Sequence, residues 1–229
     1  MRTFPPCTRA VLLCVTLLVA TCPSSGLAGV RPRLEAGLNL SSLCYDEPLT
    51  DVPVWDPGWR TSFTGGAALE FPLRHRLALV TGLRYVQQGN RVEYDTGAGS
   101  VRWVGEFRVV QNYLSLPVLL ECRPLPSQRV FFSFGPEVAL LLSGRLIFEE
   151  TRFIDGVSNE QTAYDDIKSS LESTNLSLDV GVGFEIPMAS QAAVLGLRYS
   201  HGLTDVPKEE DWYVNWKTRS VEFLAGIRW

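Results

Sequence analysis

Residues 176–186 read LSLDVGVGFEI. Leu176, Leu178, Val180, Val182, Phe184 and Ile186 fall on one side of a period-two alternation, and Ser177, Asp179, Gly181, Gly183 and Glu185 fall on the other. Successive side chains of an extended strand point to opposite faces. The stretch therefore reads as a strand with one wholly apolar face and one face of glycine, hydroxyl and carboxylate.

The same pattern recurs along the chain. Eight segments begin near Arg33, Ser62, Leu77, Gln111, Val130, Asn175, Ala192 and Thr218. Each is long enough for a tilted membrane strand of about 9–11 residues. Their apolar side holds residues such as Leu34, Phe63, Leu83, Leu116, Phe134, Leu197 and Phe223, and no charge. Their other side holds Glu35, Glu70, Arg84, Glu121, Glu137, Asp179, Glu185, Arg198, Glu222 and Arg228 among glycines and serines. Short connections at 72–76, 123–129 and 187–191 alternate with long ones at 44–61, 89–110, 148–174 and 203–217. That arrangement predicts an all-β fold: an eight-stranded antiparallel up-and-down transmembrane barrel with short periplasmic turns and long extracellular loops. Pro117 and Pro136 lie inside segments and cannot donate to a ladder, so a bulge or local break is expected there.

The alternation alone also suits a soluble periplasmic or secreted ligand carrier, with the faces exchanged. Two features favour the membrane form. Gly66, Gly82, Gly181, Gly183 and Gly226 would pack nothing on an outer face. The large apolar residues are too bulky together for the inside of eight strands. In hydrocarbon every backbone N–H and C=O must be paired, so the last strand is expected to close on the first. Trp55, Trp59, Trp103, Trp212 and Trp216 near the loop ends, and Trp229 at the opposite end, fit aromatic girdles.

The N-terminus carries Arg2 and Arg9, then the 11-residue apolar run AVLLCVTLLVA and a small-residue site at GLA. It reads as a secretory signal peptide over 1–28, cut near Ala28, followed by one barrel domain over 29–229. The chain has 21 Lys+Arg against 25 Asp+Glu, which argues against nucleic acid as a partner. No Cys/His grouping has metal-ligand spacing, and no cofactor motif is complete: GVGF at 181–184 lacks the third glycine of a dinucleotide fingerprint. Cys44 and Cys122 belong at opposite ends of the barrel, too far apart to bridge.

The polar face is expected to be a structural network of charges in the lumen, since buried ions must be paired. Seven acids against the three bases Arg84, Arg198 and Arg228 leave some carboxyls to be protonated, solvated at the ends or reached by Arg145. Ser200, His201 and Asp205 raise the possibility of an outer-membrane lipid hydrolase. Adjacent strand residues point to opposite faces, so Ser200 and His201 cannot make a nucleophile–base contact, and no catalytic residues are expected. The loop aromatics Trp55, Trp59, Trp212, Tyr213 and Trp216 are the candidates for binding a surface partner.

Five stretches carry a resemblance: NYLSLPVLLE (112–121), FGPEVALLLSG (134–144), LDVGVGFEI (178–186), LRYSHGLTDV (197–206) and RSVEFLAGIRW (219–229). In order and over nearly all of the chain after residue 28 they resemble the PorT-like outer-membrane β-barrel family, with His201 where an aromatic is more usual. The resemblance implies the outer membrane of a diderm bacterium. It also implies insertion by the barrel assembly machinery, which would read Phe223, Ile227 and Trp229. Some members of the family are accessories of a secretion apparatus. The combined expectation is a monomeric, non-enzymatic anchor embedded in outer-membrane lipid, with an unidentified surface or secretion partner.

Overall fold

Closure of the sheet is visible in the pairing of the first and last strands. A computed structural model describes residues 29–45, 58–74, 76–98, 101–124, 129–154, 157–208 and 215–229. Within these lie nine strands: β1 (Arg31–Tyr45), β2 (Arg60–Arg74), β3 (Leu77–Ala98), β4 (Val101–Cys122), β5 (Val130–Ile154), β6 (Val157–Asp166), β7 (Thr174–Met188), β8 (Gln191–Gly202) and β9 (Trp216–Arg228). All pairs are antiparallel. β9 lies along β1 from Arg33↔Arg228 to Tyr45↔Trp216, and the Trp229 N–H donates to the Pro32 carbonyl at 3.0 Å. The ring is β1–β2–β3–β4–β5–β7–β8–β9, and β6 stands outside it on β5.

The direction of the faces follows the physics of the surrounding medium. Leu38, Phe63, Leu83, Phe134 and Phe223 are each more than half exposed, whereas Glu70, Glu121, Asp179 and Glu222 are 1–2% exposed. A soluble carrier requires the reverse, because water would have to face that apolar belt. The belt is bounded at the turn end by exposed Trp229. At the loop end Tyr85, stacked on Phe63 with ring centroids 5.2 Å apart, donates a hydrogen bond to Asn112 at 2.8 Å. Above it, Gln87 and Ser143 join the same amide through bonds of 2.9 and 2.7 Å, a polar row where the apolar belt stops.

The eight expected segments are all present, but two of the expected long loops are not loops. Residues 89–98 and 101–110 continue β3 and β4, and 145–154 pairs with the additional strand β6. These extensions form a four-stranded ribbon, β3–β4–β5–β6, that stands above the ring. On it neither face abuts lipid, so the apolar alternation that marks the barrel strands is lost while the ladder continues. The transfer of β5 from one partner to another is explicit. Val130–Leu140 pairs with β7 and Arg145–Ile154 pairs with β6. Between them the register against β4 slips by one residue, Asn112 facing Ser143 and Tyr113 facing Leu141. This bulge bends β5 out of the ring. Near Pro117 the ladders are interrupted without any slip: pairing to β3 resumes from Ser115 to Val118, and pairing to β5 from Pro117 to Leu120. The prolines thus produce a local break.

Val180 is 49% exposed in the middle of β7, opposite Phe134 and Tyr199. Val180→Arg is expected to destabilise the folded barrel by about 2–4 kcal/mol in lipid vesicles, with Val180→Leu near neutral. Urea titration of vesicle-inserted protein measures both, and equal midpoints for the two variants would reject the outward direction of this face.

Candidate functional site

The interior is built in layers that follow the inward parity of each strand. In the middle layer Arg84 of β3 ties four strands together. Its guanidinium donates to Glu137 of β5 at 2.8 Å, to both oxygens of Glu222 of β9 at 2.6 and 2.5 Å, and to Thr64 of β2 at 3.0 Å. Arg198 of β8 lies 3.7 Å from Glu222 and 3.6 Å from Glu35. Asp179 faces Ser200 across the β7–β8 ladder, within the field of Arg198 and Arg84. The planar fork of arginine suits such multidentate contacts.

The layer at the turn end contains three cations outside the expected set: Arg31, half exposed at the rim and 3.6 Å from Glu70, together with Arg33 and Arg123. Arg33 is bonded to Glu121 at 2.6 Å and also contacts Glu35. Arg123 reaches Glu185 at 2.7 Å, Glu70 at 3.2 Å and Glu121 at 3.4 Å. Arg228 contacts Glu185 at 2.5 Å and Glu70 at 3.2 Å. The network therefore sets seven carboxylates against six guanidiniums, not three. Arg145 plays no part; it is exposed on the outer side of the ribbon. The three missed arginines share parity with a neighbour in the network, Arg31 and Arg33 with Glu35 and Arg123 with Glu121, so the alternation extended by a step or two would have found them.

Phe131 is packed between these two arginines, whose guanidinium carbons lie 5.2 Å (Arg33) and 5.8 Å (Arg123) from its ring centroid. Gly183 of β7 leaves the space for that ring: a β-carbon at 183 would fall within it. A cation over an aromatic face gains electrostatically, and more so away from water.

At the loop end the interior becomes apolar. Leu43, Val109, Tyr113, Leu141, Ile167, Leu171, Val206 and Trp216 form one buried cluster that plugs the mouth. The chain leaving β6 folds back into the barrel through the 3₁₀ turn Lys168–Ser170. The Ile167 N–H donates to the Gly144 carbonyl at 3.1 Å, and the Glu172 N–H donates to the Val206 carbonyl at 2.8 Å. Gly144 accommodates Leu171, whose Cδ1 would lie 2.7 Å from a β-carbon there. Within the segment AYDDIKSSLES (163–173), only this single turn is helical, and Ala163–Asp166 belongs to β6.

The aromatic candidates separate. Trp216 is 4% exposed: it starts β9 on the inward parity of Thr218, Ser220 and Glu222, and it is part of the plug instead of a binding loop. Trp103 pairs with Thr96 high on the ribbon, beyond the boundary at which a girdle forms, with the Arg152 guanidinium carbon 5.6 Å from its ring centroid. Trp59 is exposed at the loop-end rim. Trp55, Trp212 and Tyr213 lie outside the described residues. Phe223 and Ile227 point outward with Trp229. Ser200 is buried in the interior, whereas His201 stacks beside Tyr199 on the outer side, so the two are on opposite faces. Cys44 and Cys122 are free thiols, at the loop end of β1 and the turn end of β4 respectively.

The outer side of the ribbon holds a concavity of about 680 Å³ lined by Glu93, Asp95, Glu106, Glu149 and Glu160, with Arg91 among them. Glu93, Glu106 and Glu149 lie directly opposite one another on three strands. Like charges so placed repel, and they are held by Arg91 and Arg108, which bridge them. The Arg102 guanidinium donates to Asp95 at 2.8 Å and holds its carboxyl below the usual carboxylate range. Burial, helped by a 3.1 Å hydrogen bond donated to Glu150, pushes the Tyr94 phenol up.

Arg84→Met is expected to destabilise the barrel by about 3–5 kcal/mol, because it strands Glu137 and Glu222 in the interior. Adding Glu137→Gln and Glu222→Gln is expected to recover most of that loss. Urea titration in vesicles reads both, and a wild-type midpoint for Arg84→Met would show that Arg84 does not hold the network.

With this geometry in view, the resemblances to known proteins take their place. No curated protein matches the chain by sequence. Among solved structures, Ail, the attachment invasion locus protein of Yersinia pestis in complex with the heparin analogue sucrose octasulfate, is 13% identical; 87% of this chain and 99% of Ail are covered, with a TM-score of 0.36. Neisserial surface protein A is 15% identical, covering 86% of this chain and 95% of its own, with a TM-score of 0.39. The outer membrane protease OmpT from Escherichia coli is 5% identical, covering 87% and 96%, with a TM-score of 0.35. These likenesses are distant, and no role passes from them to this chain. The model of the family described as outer membrane protein beta-barrel domain matches residues 33–207, well over half of the chain. The chain belongs to that outer membrane beta-barrel family.

Proposed function

We propose that this protein is a closed, non-enzymatic anchor in the bacterial outer membrane that holds the β3–β6 ribbon at the cell surface for contact with a partner. The observation that carries the reading is the combination of a filled barrel and a raised sheet. Charges paired across the ring occupy the lower interior and the apolar plug occupies the mouth. Eight strands leave an interior that side chains can fill, so the wall serves as a support and not as a solute path.

Several features favour the ribbon as the contacting part. Beyond Gln88, β3 runs for a further ten residues, about 30 Å along the strand. Among the described residues β6 pairs on one side only, with β5, and Tyr164 on it is 69% exposed. An open edge offers backbone donors and acceptors to an added strand. The acid-lined concavity favours a partner that presents basic groups. Trp59, exposed at the loop-end rim, is a further candidate for contact, and Trp55, Trp212 and Tyr213 are candidates by their place in the sequence. The motif resemblance to the PorT-like group supports a narrower form, in which the partner belongs to a secretion apparatus. On this reading the chain is a monomer, matures by cleavage near Ala28, and is inserted by the barrel assembly machinery through the Phe223–Ile227–Trp229 strand.

In planar bilayers the purified protein is expected to give no resolved channel above the lipid baseline; a steady unitary conductance would overturn the closed-anchor reading. A photo-crosslinking side chain at Tyr164 on intact cells is expected to yield a discrete protein adduct, whereas one at lipid-facing Leu38 yields none. Identical patterns from both sites would remove the ribbon as the contact surface.

A further inference from the structure

The outer surface carries a feature that partner binding by the ribbon does not use. At the loop-end rim, away from the ribbon, one row crosses β1, β9 and β8. Ser42 of β1 faces Arg219 of β9, which faces His201 of β8. Trp59, immediately before β2, adjoins the row, and the Arg219 guanidinium carbon sits 5.1 Å from its ring centroid, so the two side chains cover Ser42. Tyr199 stacks beside His201, ring centroids 6.3 Å apart, and their polar atoms approach to 3.4 Å. All of these side chains are on the outward parity of their strands. The row directly beneath is apolar, Leu40–Val221–Tyr199–Val180, part of the membrane belt.

Arg219 has no carboxylate partner among the described residues, and its Nε is buried without a hydrogen-bond acceptor. The adjacent Lys217, one step further up β9, lies 3.6 Å from Asp205. A guanidinium, an imidazole and two amphipathic aromatics at the water–lipid boundary form a receptor for an anionic headgroup, since arginine recognises phosphate bidentately. Phosphate drawn to this row would stand at headgroup depth.

The same strands supply a place for the rest of such a molecule. On the lipid-facing side of β7, β8 and β9, Val182, Phe184, Leu195, Leu197 and Phe223 line a depression of about 430 Å³. Phe223 is four residues below Arg219 on β9, about 13 Å along the strand. The path between them passes Val221 and Tyr199, which are both on the outer face. From the alignment of this apolar groove with a guanidinium above it that has no carboxylate partner among the described residues, we infer that the β7–β9 face holds one phosphorylated lipid of the outer leaflet. Its phosphate rests on Arg219 and His201 beside Trp59, and an acyl chain lies in the Leu197–Phe223 groove. The two halves are independent observations, and charge complementarity selects an anionic lipid over a neutral one.

The test uses the folded full-length mature protein in a neutral maltoside detergent. Diphosphoryl lipid A, phosphatidylcholine and inorganic phosphate are added separately, and binding is read by native mass spectrometry and by the shift in Tm. The expected result is one retained lipid A and a raised Tm, with neither effect from phosphatidylcholine or inorganic phosphate. Arg219→Gln combined with His201→Gln is expected to weaken lipid A binding by about tenfold or more, the equivalent of one lost charge-assisted contact. Arg219→Lys retains the charge and is expected to bind more tightly than Arg219→Gln, which keeps the comparison informative if the double variant folds poorly. Arg145→Gln, at an exposed arginine on the ribbon side, is expected to bind as wild type. Unchanged lipid A binding in the Arg219 variants, equal retention of phosphatidylcholine, or full competition by inorganic phosphate would each overturn the proposal.

Discussion

Everything else in the barrel follows from the pairing of β9 with β1. In hydrocarbon an open sheet edge would leave a row of donors and acceptors without partners, at a cost of several kcal/mol for each group. Thirteen register pairs from Arg33↔Arg228 to Tyr45↔Trp216 remove that edge. Once the ring is closed, every residue has only two environments available, the belt and the interior. Period-two patterning then assigns the side chains. Above the membrane that requirement lapses, and there β6 has no second partner strand among the described residues.

Closure with eight strands makes the interior narrow, and narrowness explains its chemistry. A charge inside cannot be hydrated well, so it must find an opposite charge within a few ångströms. Arg84 meets Glu137, Glu222 and Thr64 on three other strands. Such contacts tie non-adjacent staves across the axis, which backbone ladders cannot do. Glycine at 183 and the ring of Phe131 form a complementary pair for the same reason: the bore has room for one large side chain between Arg33 and Arg123, and its neighbour must be absent. The plug completes this filling. Leu171 and Ile167 enter the mouth from the segment after β6 and meet Trp216, Leu43 and Tyr113.

Much of this was legible in single residues. Asp179, Glu185 and Val180 alternate in a way that a helix or loop would not require, and the structure places the acids inside and the valine outside. The direction of the faces was legible too, through glycines such as Gly183 that are useful only in a crowded interior. Arg31, Arg33 and Arg123 are less legible, because they lie at a strand start or just beyond a strand end, where the apolar alternation that marks parity runs out. Trp216 was assigned to a loop for the same reason, although its parity matches Glu222.

The period, the two faces, the strand-by-strand order and the membrane environment are written in the residues. Each depends on the hydrophobicity of residues two apart, which is a local property of the chain. The partners of Arg33 and Arg123, the fold-back of Ile167 and Leu171, and the extension of β3, β4 and β5 into a ribbon emerge only in the folded barrel. These depend on which strands stand opposite one another and on a one-residue slip at Leu142, neither of which leaves a mark in local hydrophobicity. The row of Trp59, Arg219 and His201 belongs to the same class: its members are scattered along the chain, and only register brings an aromatic, a guanidinium and an imidazole together at one height on the barrel.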